Sequence, residues 1–330
     1  LVASATVFTI APLLYLTVSS AWLLIPIRFF HGIATAILGP VASAIICDAY
    51  PESKGAKLGF YSSTTLVGRT IAPLLGGLIL STFALHGFFS NYKMVYVGAF
   101  IIALPVFFLS LSVPKDKGHD GLAKLSVRSF FRALGEFLSH KKLLGTSFVE
   151  MATYFTFGAF ETYLPIFLSE KGLPAYLIGM IFSIQVLSIA LSKPFFGKLS
   201  DRIDRRIQII IGIVILGLAI VAIPFFTHAY AVTAVSIVFG LGMSLSTVAT
   251  STYVADVARK DSLGSAMGAL SAIMDIGHSS GPFVAGIVIT AFASADHTGG
   301  YIPGFFACFI VCALSAIFFA ALTFTGEKRK

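Results

Sequence analysis

Residues 177–226 read LIGMIFSIQVLSIALSKPFFGKLSDRIDRRIQIIIGIVILGLAIVAIPFF, two long apolar runs on either side of the charged segment GKLSDRIDRR at 197–206. A helix needs about 20 apolar residues to cross a bilayer, and each run supplies that length. Neither run alternates polar and apolar residues as the strands of a membrane barrel would. The stretch therefore predicts two transmembrane helices joined by a tight charged loop.

The same pattern extends over the whole chain. Of its 330 residues, 57% are hydrophobic and 12% charged, and the mean hydropathy is +0.92, which leaves too little polar surface to solvate a globule. We predict an all-α fold, a polytopic membrane helix bundle. Its ten expected spans are 1–18, 22–46, 57–83, 92–113, 143–168, 174–197, 207–227, 230–255, 263–293 and 301–324.

The distribution of Lys and Arg predicts the orientation. Of the 23 basic residues, 18 fall on the side of the segment 114–142, and only Lys93 and Lys171 fall on the opposite side. The positive-inside rule then places this segment and the C-terminus in the cytoplasm of a multi-pass cell-membrane protein. Topology and attraction to anionic membrane lipid explain the net charge of +8, so no nucleic-acid partner is expected.

An internal repeat adds information about architecture. An offset of 208 or 209 residues relates Asp48, Gly68, Pro73 and Gly77 to Asp256, Gly277, Pro282 and Gly286. Parallel repeats of this size occur in secondary transporters. The counterparts of the fifth and sixth spans would precede residue 1, so we expect a fragment that lacks roughly 65–75 N-terminal residues of a twelve-span protein.

The charged segment resembles the G-x-L-[AS]-D-R-x-G-R-[RK] loop of the major facilitator superfamily, with Asp204 where Gly is usual. Asp201 can lie near a helix N-terminus and Arg205 can reach Asp256, which would make a cytoplasmic contact that changes with conformation. The gating residues expected from this resemblance are Gly197, Asp201, Arg202, Arg205, Arg206 and Asp256.

Two further matches support the resemblance. The sequence RFFHG at 28–32 is similar to the family's R-x-x-Q-G, whose Arg is tied to proton coupling. The sequence GRTIAPLLGG at 68–77 resembles the antiporter pattern G-x-x-x-G-P-x-x-G-G, with Ala72 in place of Gly, and GHSSGP at 277–282 repeats its first six positions. The helix-bend residues are Gly68, Pro73, Gly76, Gly77, Gly277, Gly281 and Pro282, because glycine admits close helix packing and proline removes a backbone hydrogen bond.

The resemblance implies two six-helix halves. Residues 1–113 would be family helices 3–6, residues 114–142 a cytoplasmic linker, and residues 143–330 family helices 7–12. The linker contains an expected amphipathic helix, in which Lys124, Arg128 and Arg132 lie opposite an apolar face. That face consists of Leu122, Leu125, Phe130, Phe131, Leu134, Phe137 and Leu138.

Six charged residues lie more than two residues inside the expected spans: Arg28, Arg69, Glu150, Glu161, Lys193 and Asp275. Each costs about 2.5–3.5 kcal/mol near the bilayer centre and normally faces a cavity or a partner. Lys193 can instead extend its ammonium group to the membrane surface. Glu161 and Asp275, the latter deeper in its span than Glu150, are the leading proton carriers, with Arg28 as partner. The candidate cavity residues are Arg28, His31, Arg69, Glu150, Tyr154, Glu161, Asp275 and His278.

We therefore predict a monomeric secondary transporter that moves a small molecule by alternating access, through proton-coupled efflux. An amphipathic solute is favoured. The alternatives are proton-coupled uptake of a sugar or organic acid, and a receptor of the same fold that does not transport. Enzyme motifs and a P-loop are absent from the sequence, and Cys47, Cys308 and Cys312 have no metal-ligand spacing. No cofactor or metal is expected.

Overall fold

The computed structural model describes residues 1–50, 52–82, 91–113, 134–226, 228–258, 263–293 and 299–324. These residues form helices and no strand, which confirms the predicted all-α membrane bundle. Ten long helices overlap the ten predicted spans: α1 Val2–Leu16, α2 Ala21–Ala49, α3 Lys54–Thr82, α4 Asn91–Leu111, α5 Lys141–Glu170, α6 Ala175–Ser200, α7 Arg205–Ala222, α8 Ala229–Val257, α9 Leu263–Ala291 and α10 Tyr301–Phe324. A 3₁₀ turn, Ile223–Phe225, follows α7.

Eight of these helices are long and apolar enough to cross a membrane by length and composition. The other two are α1, which has 15 residues, and α5, which has 30 residues and a more polar sequence. The polar residues Thr146, Glu150, Thr153 and Thr156 of α5 are buried. Their polar groups therefore face protein, as expected for polar side chains at membrane depth.

The chain divides into two compact units, Leu1–Leu122 and Ala123–Lys330, here called unit 1 and unit 2. In unit 1, α1 packs against α2 and α4, and α3 packs against α4 and α2. The rings of Tyr15 on α1 and Tyr96 on α4 stack with their centroids 4.8 Å apart.

Unit 2 is built around α5, which packs against α9, α10 and α8. The helices also pack in the pairs α7–α8, α6–α8, α7–α10 and α9–α10. Phe160 of α5 stacks on Phe239 of α8 at 4.2 Å between ring centroids, and Phe167, Phe305 and Phe319 are fully buried. Lipid is as apolar as these side chains, so close packing, more than exclusion of water, stabilises this core.

The predicted amphipathic linker helix lies mostly outside the described residues, which resume at residue 134. Phe137 of that face is buried. It packs in a cluster with Leu143, Val254, Leu270 and Ile273. Leu134 and Leu138 pack against the same cluster. The end of the predicted apolar face therefore contacts α5, α8 and α9 of unit 2.

Candidate functional site

Helices α5 and α9 pack at close range along one seam. A Cβ atom at Gly277 would collide with the backbone carbonyl of Met151, and one at Gly281 with the carbonyl of Phe155. In the other direction, a Cβ at Gly158 would collide with the carbonyl of His278. Three glycines thus let the two backbones approach directly, as small residues do in membrane helix pairs. The seam fixes which side chains of α5 and α9 meet.

One pair of ionisable side chains meets across this seam. Oε2 of Glu161 on α5 lies 3.0 Å from Nε2 of His278 on α9. The ring of Phe157 lies 5.6 Å from the His278 ring, and the two ionisable side chains are 47% and 42% exposed. His278 therefore pairs with Glu161 on the neighbouring helix, while Asp275, one turn away on α9, is exposed.

Glu150 lies deeper in the protein than the other two acids. It is 4% exposed, and its Oε2 accepts a hydrogen bond of 2.6 Å from the Thr250 hydroxyl on α8. The ammonium charge of Lys193 attracts its carboxylate. Glu161 and Asp275, the leading proton carriers expected from the sequence, are both exposed, whereas α8 covers Glu150.

A cavity of about 330 Å³ opens beside Glu150. Lys193 and Tyr154 also line it, together with hydroxyl-bearing and apolar residues of α8 and α9: Thr247, Val248, Ser251, Thr252, Met267, Leu270, Ser271 and Met274. The structure thus brings two predicted residues, Glu150 and Tyr154, into one pocket. It adds Lys193, which sequence reasoning had interpreted as extending to the membrane surface.

In unit 1, the predicted residues His31 and Arg28 both lie beside Tyr15, which was not predicted. The Tyr15 hydroxyl lies 3.4 Å from Nδ1 of His31, and the Arg28 guanidinium lies 5.8 Å from the centroid of the Tyr15 ring. His31 also lines an apolar cavity of about 610 Å³ between α1, α2 and α4. Arg69 is exposed on α3. Arg28 thus has an aromatic neighbour within its own unit.

The loop 197–206 contributes Arg205 to the predicted contact with Asp256 within unit 2. Arg205 at the start of α7 is ion-paired with Asp256 near the end of α8, and its guanidinium lies 3.9 Å from Asp201. The same guanidinium donates to the backbone carbonyls of Ser200, at 3.3 Å, and Thr252, at 3.5 Å. Arg205 therefore joins the ends of α6 and α8. The loop residues Gly197 and Arg202 are respectively half-buried and exposed.

The neighbouring Arg206 has a different set of partners. Its side chain forms a bidentate contact with Asp204, and it donates to the carbonyl of Thr323 at 3.2 Å. Its guanidinium lies 4.5 Å from the centroid of the Phe324 ring on α10. Asp204 caps α7 by accepting from the Arg206 backbone N–H, and these hydrogen bonds lower the pKa of the Asp204 carboxyl.

Sequence reasoning missed Gln208, Thr250 and Tyr163. Gln208 is fully buried; it accepts from Ser200 at 2.7 Å and donates to the carbonyls of Phe196 and Leu245. A lone amide in an otherwise apolar span was the signal that could have found it. Thr250 and Tyr163 gave no such signal, since hydroxyls in membrane helices commonly bond to their own backbone.

A metal centre finds no support in the part of the chain that the structure describes. No group of three or more His, Cys, Asp or Glu side chains there is arranged to hold a metal ion.

Comparisons with known proteins identify one family along the whole chain. The sequence model of the Major Facilitator Superfamily matches residues 1–184 and 172–330. The chain is 24% identical to the uncharacterized MFS-type transporter MJ1560 of Methanocaldococcus jannaschii, over 82% of this chain and 69% of that protein. It is 25% identical to the multidrug resistance protein MdtG of Enterobacter lignolyticus, over 100% of this chain and 75% of that protein.

Solved structures show the same fold. The crystal structure of a bacterial homolog to the human lysosomal transporter Spinster, inward-facing and unoccupied, superposes with a TM-score of 0.79 at 17% identity, covering 98% of this chain and 82% of that one. A point mutant of the nucleoside transporter NupG gives a TM-score of 0.79 at 15% identity, covering 98% and 82%.

Proposed function

The chain belongs to the Major Facilitator Superfamily and is a membrane transport protein of small molecules, and from this premise we propose that it couples export of an amphipathic solute to proton entry. The observation that carries the proposal is the Glu161–His278 pair across the α5–α9 seam, at 3.0 Å. The multidrug resistance name of MdtG favours efflux of such a solute.

The pair provides a direct link between a proton and helix packing. An ionised carboxylate and an imidazolium attract, and the attraction ends when the carboxylate takes up a proton or the imidazolium loses one. Because Glu161 and His278 belong to different helices, each protonation state favours a different strength of contact between α5 and α9. A proton that enters from one side of the membrane can thereby shift the conformational equilibrium of unit 2.

Glu150 is the second proposed proton site. A buried charge needs a partner, and Glu150 has the Thr250 hydroxyl and the charge of Lys193, which lines the same pocket. A solute in this pocket would meet Glu150, Lys193 and Tyr154 together. Solute binding and protonation would then influence each other at Glu150.

Proteoliposomes with an imposed pH gradient test the proposal, with ethidium as the amphipathic probe and pyranine as the reporter of proton movement. Glu161→Gln, Glu150→Gln and Asp275→Asn each remove one acid. We expect at least one to lower gradient-driven flux about tenfold or more while it preserves solute exchange without a gradient, because the amide mimics the protonated acid. Glu136→Gln, at an exposed residue before α5, is the control.

Two results would contradict the proposal. If all three neutral variants keep wild-type gradient-driven flux, the acids are structural. If protons enter together with the solute, the protein is a symporter, and gluconate is the polar probe for that case. The hydroxyl-lined pocket with opposite charges at Glu150 and Lys193 is the observation that favours this second function.

A further inference from the structure

Tyr163 contacts the proline turn of α9 from the helix opposite. Its hydroxyl donates a hydrogen bond of 2.9 Å to the backbone carbonyl of Pro282. A Cβ atom at Gly286 would collide with this hydroxyl, so glycine at 286 makes the space that the Tyr163 side chain occupies. The contact is therefore built from both helices: a tyrosine on α5 and a glycine on α9 that admits it.

Pro282 weakens α9 at the turn that carries His278. Proline has no N–H, so the carbonyl of His278, four residues earlier, loses its donor within the helix. The structure places Gly158 of α5 against that carbonyl, close enough that a Cβ would collide with it. A Cα–H contact of this kind is weak, so the turn needs a further restraint to keep one geometry.

Tyr163 and Glu161 hold α9 from opposite flanks. Two residues apart on a helix, their side chains project about 200° apart around the axis of α5. Between these flanks, Met151 and Phe155 of α5 face the glycines of α9. Glu161 reaches His278 on one flank and Tyr163 reaches Pro282, one turn further along α9, on the other. Any rotation or shift of the Pro282 turn would thus move His278 relative to Glu161.

We propose that Tyr163 is a positioning residue whose hydroxyl fixes the Pro282 turn of α9 and thereby keeps His278 in contact with Glu161. The role rests on the proposed function of the Glu161–His278 pair. Tyr163 itself exchanges no proton in this scheme; it acts through the geometry of α9. The proposal accounts for Gly286 as well, since any larger residue there would displace the hydroxyl.

Tyr163→Phe removes the hydroxyl alone. We expect gradient-driven ethidium flux to fall about twofold to tenfold, the effect of losing one hydrogen bond, with an altered pH profile. In a His278→Gln background the same substitution should leave the pH profile unchanged, because the pair that it positions is already absent. Tyr230→Phe, at a residue 90% exposed, is the matched control. An equal change of the profile in both backgrounds would overturn the proposal.

Gly286→Ala tests the same contact from α9. It should reproduce the effect of Tyr163→Phe, because the added methyl group displaces the hydroxyl. In the Tyr163→Phe background the methyl group has only the ring carbon Cζ to meet, 3.2 Å away, so Gly286→Ala should cost less than it does in the wild type. Equal costs in both backgrounds would contradict a role for the hydroxyl.

Hydrogen–deuterium exchange of residues 275–286 in detergent separates this proposal from the proposed function, since it needs no transport. After correction for the intrinsic effect of pH, the protection of this segment should depend on pH in the wild type, through the pair. Tyr163→Phe should lower the protection several-fold and weaken that dependence. Unchanged protection, or lower protection with the wild-type pH dependence, would overturn the positioning role. The expected exchange in a protein without proton-coupled flux would support that role and contradict the proposed function.

Discussion

Helices α3 and α9 carry the same glycine–proline pattern 209 residues apart, yet their glycines have different surroundings. A Cβ at Gly277 of α9 would collide with α5, whereas a Cβ at Gly68, its counterpart on α3, would meet no described atom within 4 Å. The two copies also differ at one decisive position: Gly281 corresponds to Ala72. In α9 the pattern meets the backbone of α5, which requires glycine at the points of closest approach. The positions 209 residues before α5 would precede residue 1, so α3 has no counterpart of that partner in this sequence.

Gly281→Ala is the substitution with the largest expected effect, and it gives α9 the residue that α3 already has. Its methyl group would collide with the Phe155 carbonyl, which is backbone and cannot rotate away. We expect the free energy of unfolding to fall by about 2–3 kcal/mol, the upper range for overpacking. Thermal unfolding in detergent measures the change.

Ala72→Gly is the reciprocal control for that substitution. It removes a methyl group from α3 and should cost about 1 kcal/mol, the helix propensity of alanine over glycine. If Gly281→Ala is as mild as Ala72→Gly, the α5–α9 seam adjusts easily, and the contrast between the two copies has no energetic meaning.

The helices and part of the site could be predicted from the sequence, and the physical reason differs from residue to residue. The length of apolar runs dictates spans, so ten helices could be predicted. The Arg205–Asp256 contact followed from a loop pattern that was recognised. The partner of His278 could not be found, because Glu161 is 117 residues away and their contact depends on the rotation of two helices about their axes. The burial of Glu150 could not be predicted either, because it depends on α8, which covers this residue.

The two copies of the repeat also correspond at the ends of α2 and α8, where Asp48 is the counterpart of Asp256. Asp256→Asn removes the charge that Arg205 contacts. Both side chains are partly exposed, so the stability loss should stay below about 1 kcal/mol. If the contact forms in only one conformation, transport should fall by up to about fivefold, because the population shift is limited to that same ~1 kcal/mol. Flux in proteoliposomes with matched protein insertion measures the effect.

Asp201→Asn should have a smaller effect on transport than Asp256→Asn, because Asp201 lies 3.9 Å from Arg205 and is 74% exposed. Equal flux in the wild type and both variants would show that these contacts are structural. A larger loss for Asp201→Asn would indicate that Asp201 has its main partner in another conformation.

The last expected effect concerns Asp204, where the loop departs from the glycine usual in the family. Asp204→Ala removes the N-cap of α7 and should cost about 1 kcal/mol, whereas Asp204→Gly should cost less, because glycine is a tolerated N-cap. The Arg206 hydrogen bonds hold the folded-state pKa of Asp204 below the unfolded value of about 3.9. A lowered pKa means that the stabilisation is fully present above that unfolded value and is lost as pH falls through the folded value. The difference in unfolding temperature between wild type and Asp204→Ala should thus be constant from pH 8 to about pH 5 and shrink below about pH 4. A difference that grows on acidification would show that Asp204 acts in some way other than as an ionised cap.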